Sequence, residues 1–377
     1  DALPIFFTDF DNDGNQDLLV NQDFGYKAVP NFLYKNLYPK ESFMDVSEET
    51  AMSLKENAMG SAVGDFNGDG LLDYYVTNIK FNLLMQNQGE GKPFIDRAKP
   101  LGTYKLAISW GANFADFDHD GDLDLFVSNG DLNPNCTPMG NFYFENENAS
   151  FTEKGREKSL NDYGIGRGSV VFDMENDGDL DLLVVNQKPT LEYPISSKTK
   201  LYRNDSSNGN WLKVALKGIK AESNGIGSRV EIVVNGQHMI REIDGGGSSH
   251  LSQNSVITHF GLANATKVDS VMVTWAGGKK QVLLNQRVNQ KIIITEIHNR
   301  PLKPTQAQLD AALPNNPPGA DLVPDEGHVE WFEVYNTTSS PVVMDGWIIE
   351  DGSNGSTSVI SSFTLAANDY AVFAGFN

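Results

Sequence analysis

Along residues 1–205 the apolar and polar positions alternate in short runs bounded by turn residues. Apolar triplets occur at 18–20, 74–76, 125–127 and 182–184, and a glycine-bearing, strand-like stretch precedes the last three at 59–64, 110–115 and 166–172. A shorter stretch, 3–8, precedes the first. Each triplet is followed by a further alternating segment at 31–36, 82–87, 141–146 and 200–204, and three of these lead into 43–46, 94–96 and 151–153. Period-two alternation between Gly, Asn and Asp turns predicts β-strands. One period thus holds about four short strands, the content of a propeller blade, and a repeat near 50 residues suits a blade better than a solenoid coil.

Between the first two predicted strands of every period lies a nine-residue acidic loop. The copies align without gaps: Asp9-Phe-Asp-Asn-Asp-Gly-Asn-Gln-Asp17, Asp65-Phe-Asn-Gly-Asp-Gly-Leu-Leu-Asp73, Asp116-Phe-Asp-His-Asp-Gly-Asp-Leu-Asp124 and Asp173-Met-Glu-Asn-Asp-Gly-Asp-Leu-Asp181. Ca²⁺ takes six to eight oxygen ligands in flexible geometry, and a turn with oxygens at positions 1, 3 and 5 can wrap one ion. Glycine at position 6 permits the sharp reversal, and the carbonyl of position 7 turns inward. An EF-hand would need a bidentate Glu at position 12 and flanking helices. Position 12 is Val20, Val76, Val127 and Val184, which cannot ligate, so that fold is excluded. Asp at position 9 supplies the closing carboxylate instead.

The expected side-chain ligands are Asp9, Asp11, Asp13 and Asp17; Asp65, Asn67, Asp69 and Asp73; Asp116, Asp118, Asp120 and Asp124; and Asp173, Glu175, Asp177 and Asp181. Asn15, Leu71, Asp122 and Asp179 would add main-chain oxygens. Loop 4 departs from the others by carrying Glu175 at position 3, one methylene longer. Four loops in register imply about four Ca²⁺ ions. Mg²⁺ fits less well, because it keeps several waters and demands a stricter octahedron. With no ligand position left open for a substrate, the ions are expected to rigidify the blades.

The Asp-x-[Asp/Asn]-x-Asp-Gly-x-x-Asp pattern, with its preceding glycine-bearing strand, resembles the FG-GAP/VCBS repeat of integrin-type β-propellers. The accompanying Leu33-Tyr-Lys-Asn36 and Phe151-Thr-Glu153 elements make it more similar to the cartilage acidic protein family. The resemblance implies loops that hold Ca²⁺ within the blades of a partial or complete propeller. Four loops against about seven blades in the family imply missing N-terminal blades or an unusual domain.

Beyond residue 205 the pattern changes. Asn210-Trp-Leu-Lys-Val-Ala-Leu-Lys-Gly218, Ile226-Gly-Ser-Arg-Val230, Asp244-Gly-Gly-Gly-Ser248, His259-Phe-Gly-Leu262 and Val271-Met-Val-Thr-Trp275 predict a compact β-sandwich or barrel-like module and look like the ASPIC/UnbV domain. Arg229 reads as a structural ion pair or an anion contact, and His259 as a packed histidine or a ligand. The 244–248 glycines do not form a phosphate loop, since no Gly-Lys-Ser/Thr ending or helix follows. A polar, Pro-rich stretch at 299–324 predicts a linker with one short helix at 305–312. Glu330-Trp-Phe-Glu-Val-Tyr-Asn336, Asp345-Gly-Trp347 and Asp369-Tyr-Ala-Val-Phe373 resemble a lamin-tail-type, immunoglobulin-like sandwich. Three domains are expected: propeller repeats at 1–205, the ASPIC/UnbV-like module at 206–297, and a linker plus lamin-tail-like sandwich at 298–377.

Composition narrows the function. The 377-residue chain carries a formal charge of −21, which repels a phosphate backbone and argues against nucleic acid. Its one cysteine, Cys136, excludes an internal disulfide and a Cys-rich zinc site. No apolar run reaches membrane-spanning length. The start at Asp1-Ala2-Leu3, without Met, leads us to expect a processed or truncated N-terminus. No serine motif, histidine pair or cysteine–histidine set for catalysis appears. The leading expectation is a secreted or cell-surface, calcium-binding, non-catalytic adhesion or recognition protein with an extracellular protein or glycan partner. A self-assembling structural subunit and a polysaccharide-active propeller enzyme are the alternatives.

Overall fold

The computed structural model describes residues 4–89, 91–131, 137–205, 209–249 and 251–297, and six strands within 331–374. The chain divides into two compact units, Asp1–Ile297 and His298–Asn377. Blade 1 is an antiparallel meander of β1 (Ile5–Thr8), β2 (Asp17–Val20), β3 (Phe32–Asn36) and β4 (Phe43–Asp45). Blade 2 comprises β5 (Gly60–Gly64), β6 (Asp73–Val76) and, beyond a short β7 (Ile79–Phe81), β8 (Leu83–Gln86) and β9 (Ile95–Asp96). Blade 3 comprises β10 (Leu106–Ala115), β11 (Asp124–Asn129), β12 (Phe142–Asn146) and β13 (Phe151–Glu153), with β7 paired onto the first residues of β10. Blade 4 has three strands among the described residues: β14 (Gly166–Phe172), β15 (Asp181–Asn186) and β16 (Lys200–Tyr202).

The apolar triplets are the second strands of the blades, and their burial explains why they read as unbroken runs. In β6, Tyr74 and Val76 enter a core shared with Phe6, Leu19 and Leu33 of blade 1, while Tyr75 enters a core shared with Leu125 and Val127 of blade 3. Phe126, between those two, faces Leu182 and Val184 of blade 4. Successive side chains point to opposite faces of a strand, so a blade packed on both sides needs apolar residues at every position. Val185, on the far face of blade 4, is exposed. The resulting fold is all-β and propeller-type, with no α-helix among the described residues.

The first unit continues into a sandwich of β17 (Trp211–Lys217), β18 (Arg229–Val234), β19 (Gln237–Glu242), β21 (Thr258–Gly261), β22 (Lys267–Thr274), β23 (Lys280–Arg287) and β24 (Gln290–Thr295), with β20 (Ser248–Ser249) outside its two sheets. One sheet is ordered β21-β17-β24, the other β19-β18-β22-β23, and Leu212, Val214, Val230, Ile232, Phe260, Val271, Val273 and Trp275 fill the space between them. Strand β24 places residues 293–295 in this module, parallel to β17.

The glycine-rich segment after β19 is a plug. Asp244 Oδ1 accepts from the amides of Gly246 and Gly247, and β20 then pairs with the inner edge of β5 while Asn254 Oδ1 accepts from Val171 N of β14. Room for it comes from a glycine five residues before each acidic loop of blades 2 to 4. A Cβ on Gly60 would lie 2.2 Å from Trp110 O and 2.5 Å from Ser248 O, while Gly111 and Gly168 face Ser248 and Ser252. Gly60→Ala is therefore expected to cost roughly 1–3 kcal/mol, since backbone on both sides must move. A urea denaturation midpoint equal to wild type would refute this account of the plug.

In the second unit, β25 (Trp331–Tyr335), β26 (Val342–Val343), β27 (Ile348–Glu350), β28 (Thr357–Val359), β29 (Thr364–Leu365) and β30 (Tyr370–Ala374) pair as a nest: β25 with β30, β26 with β29, β27 with β28. Cys136 and the whole predicted linker at 299–324, with its predicted helix at 305–312, lie outside the described residues.

Candidate metal loops under the sandwich

Each acidic loop joins the first and second strands of its blade, and all four copies fold alike. Position 4 is left-handed in every copy, with φ of 61° at Asn12, 71° at Gly68, 63° at His119 and 60° at Asn176. Asn and Gly tolerate that conformation best, which explains three of the four residue choices. Position 6 has φ from 83° at Gly70 to 105° at Gly178, and its amide donates to the position-1 carboxylate: Gly14 to Asp9, Gly70 to Asp65, Gly121 to Asp116 and Gly178 to Asp173, at 2.9–3.1 Å. The amide of position 7 donates to position 5, from Asn15, Leu71, Asp122 and Asp179 to Asp13, Asp69, Asp120 and Asp177.

The loops are cups with a buried base and an open rim. Asp17, Asp73, Asp124 and Asp181 at position 9 are buried, as are Asp9, Asp65 and Asp116 at position 1, while Asp13, Asp69, Asp120 and Asp177 are exposed. Position 9 is also a latch: Asp124 accepts from Phe117 N at 3.2 Å, Asn146 N at 2.9 Å and the Tyr143 hydroxyl at 2.9 Å. Asp17 and Asp181 accept equivalent amides from Phe10 and Asn36 and from Met174 and Asn204. The asparagine ending the third strand was not recognised as functional from sequence, although it recurs in all four periods. Its side-chain amide ties each blade to the loop before it: Asn87 donates to Phe10 O, Asn146 to Phe66 O and Asn204 to Phe117 O.

One carboxylate oxygen in each loop is buried without a hydrogen-bond donor: Asp9 Oδ1, Asp73 Oδ2, Asp116 Oδ1 and Asp173 Oδ1. Burial pushes Asp17 up to about 8 and Asp116 up to about 7, and raises Asp9, Asp65, Asp73 and Asp124. Buried acids crowded together with unsatisfied oxygens fit a hard, oxygen-seeking cation. Oxygens of Asp9, Asp11 and Asp17 lie within 4.8 Å of one another, as do those of Asp116, Asp118 and Asp120. Loops 2 and 4 bring no such trio of described acids together. Asn67 replaces one carboxylate in loop 2, and Glu175 in loop 4 is exposed, with an oxygen 3.8 Å from Arg203 Nε.

Basic side chains complete the picture. The position before the third-strand Asn is Lys35, Gln86, Glu145 and Arg203 in turn. Lys35 reaches Asp11 and, at 3.3 Å, Asp13, so an ammonium already sits at the rim of loop 1. The sandwich presses on the bases of the cups. Arg229 Nη2 donates to Asp9 O at 3.0 Å and lies 3.6 Å from Asp9 Oδ2, and its cross-strand partner Glu242 accepts from Asp9 N. Gly261 N donates to Asp116 Oδ2 at 3.0 Å. Buried Lys213 pairs with Asp173, and a nitrogen of its register neighbour His259 lies 2.9 Å from Gly178 O, so both are contacts to loop 4. Arg229 is thus a structural ion pair, aimed at a loop. A cavity of about 170 Å³ lies among these groups, lined by Asn113, Asp116, Asp173, Lys213, Arg241 and His259.

Repeated acidic loops on propeller blades, followed by a β-sandwich seated on those loops, define the class, and family comparison agrees. The FG-GAP-like repeat family matches residues 9–76 and 65–127, and the ASPIC and UnbV family matches residues 218–301. The chain carries FG-GAP-like repeats and an ASPIC/UnbV domain. It is homologous to cartilage acidic protein 1, with 30% identity to the Homo sapiens protein over 262 residues, covering 66% of this chain and 38% of that one. The Mus musculus protein gives the same identity and coverage, and the Xenopus tropicalis protein is 29% identical over 261 residues. The chain therefore spans less than two fifths of the length of these relatives.

Proposed function

We propose that this chain is an extracellular, non-enzymatic recognition protein whose blades are made rigid by Ca²⁺ held in the acidic loops. The observation that carries the reading is the buried, donorless carboxylate oxygen found in all four loops. When bound, the ion supplies a positive centre for those oxygens and leaves the carboxylates ionised. The residues that would hold it at the base are Asp9 and Asp17, Asp65 and Asp73, Asp116 and Asp124, and Asp173 and Asp181. Asp11, Asp13, Asn67, Asp69, Asp118, Asp120, Glu175 and Asp177 line the rim. Because the sandwich contacts loops 1, 3 and 4, filling the loops also steadies its seat on the blades. Kinship with cartilage acidic protein 1 supports the extracellular, non-enzymatic part of this reading.

Loop 3 gathers three acids and, among the described residues, has no basic side chain bonded at its rim, so it is expected to bind first. Lys35→Gln removes the competing ammonium at loop 1 and should tighten that site roughly three- to tenfold. Calorimetric titration of EDTA-stripped chain with CaCl₂ checks both statements. Absence of saturable uptake by the wild type would end the calcium reading, and an unchanged K35Q isotherm would end the competition argument.

A further inference from the structure

The sandwich covers the loop face of the blades, and the opposite face is built differently. Strand alternation sends every second-to-third-strand connection, and every connection between blades, to that opposite face. Lys and Arg outnumber Asp and Glu across these connections, although the whole chain carries −21. Aromatic rings stand beside the positive charges. In blade 1, Tyr26 is 61% exposed next to exposed Lys27. At blades 2 and 3, the arm made by β7 and the start of β10 stacks Phe81 on Tyr104, with centroids 4.1 Å apart and planes 2° from parallel. Tyr104 keeps 41% of its surface in solvent, and the flanking Lys80 and Lys105 are exposed. Each cluster also holds a non-glycine residue in the left-handed region, Phe24 at φ 62° and Lys80 at φ 92°.

We propose that this face binds an anionic polysaccharide, which names the partner class for the recognition role above and rests on that reading. A pyranose ring has an apolar C–H face that lies flat against an exposed aromatic ring. Ammonium groups beside the ring attract the carboxylate or sulfate of the same sugar. Two such clusters on one face suit a polymer whose charge also repeats. The charge asymmetry selects an acidic chain over a neutral one.

The test uses the whole chain in CaCl₂ on sensors coated with hyaluronan, chondroitin sulfate, neutral dextran or single-stranded DNA. Binding to an acidic polysaccharide is expected, weakening as salt rises, with none to dextran. The Lys80→Ala/Lys105→Ala pair should weaken it at least tenfold without shifting the melting temperature. Tyr104→Ala should weaken it at least tenfold with a small fall in melting temperature from the lost stack on Phe81. Equal binding to dextran or to DNA, or wild-type binding by both variants, overturns the proposal. Calcium uptake is measured on the same sample: uptake without polysaccharide binding removes this proposal alone, and polysaccharide binding without uptake removes the calcium reading alone.

Discussion

Stripping the calcium-loaded chain with excess EDTA is expected to lower its melting temperature by roughly 10–20 °C. A ligand present at about 100 times its dissociation constant adds about 2.7 kcal/mol to the folded state. Two filled loops therefore contribute about 5 kcal/mol, and in a domain of this size each kcal/mol moves the melting temperature by about 2–4 °C. The pH dependence should reverse sign between the two forms. Without metal, Asp17 and Asp116 have folded pKa values of about 8 and about 7, above the ordinary 3.8. Between those limits the folded chain binds more protons than the unfolded chain. The stabilisation is fully present below the ordinary value and is lost as pH rises through 7 to 8. The EDTA-treated chain should thus melt at a higher temperature at pH 6 than at pH 8. With calcium the carboxylates must be ionised to ligate, so acidification displaces the ion and lowers the melting temperature. Calorimetric scans at both pH values, with CaCl₂ or EDTA, check this. Parallel pH trends in the two series would refute the assignment of these acids to the metal.

The acidic loops were legible because a constellation of near-identical loops in register carries its own geometry. Asp at positions 1, 5 and 9 and Gly at position 6 are the residues the folded loop uses. The all-β pattern was legible for a related reason: runs such as Tyr74-Tyr75-Val76 are buried on both faces by neighbouring blades. What sequence could not display was the contact between segments far apart in the chain. Lys213 alternates with Leu212 and Val214 in a half-apolar strand and reads as solvent-facing, yet loop 4, forty residues earlier, covers it. The Asp244-Gly-Gly-Gly-Ser248 run reads as a loose turn because its partners are the inner strands of other blades. Lys35 differs again. Its position was visible beside Asn36, but only the register of β2 with β3 brings it over Asp11 and Asp13.

Loop 3 allows the two roles of its carboxylates to be separated by substitution. Asp124 is buried and accepts from Phe117 N, Asn146 N and the Tyr143 hydroxyl. Asp124→Asn keeps the shape but turns an amide donor towards one of those donors. The buried mismatch should cost roughly 2–4 kcal/mol in EDTA, and more in calcium, where a charged ligand at the base of the loop is lost as well. Asp118 is half-exposed and accepts from Asp120 N at 3.4 Å. Its charge repels Asp116, Asp120 and Asp124. Asp118→Asn should therefore change the EDTA-treated chain by no more than about 0.5 kcal/mol. In calcium the same change removes a charged ligand and should destabilise the chain relative to wild type. Urea denaturation of both variants in CaCl₂ and in EDTA gives four comparisons. If D124N weakens the chain only in calcium, position 9 is a ligand and not a latch. If D118N weakens it equally in both buffers, the rim of the loop works through folding contacts, and metal has no part in what Asp118 does.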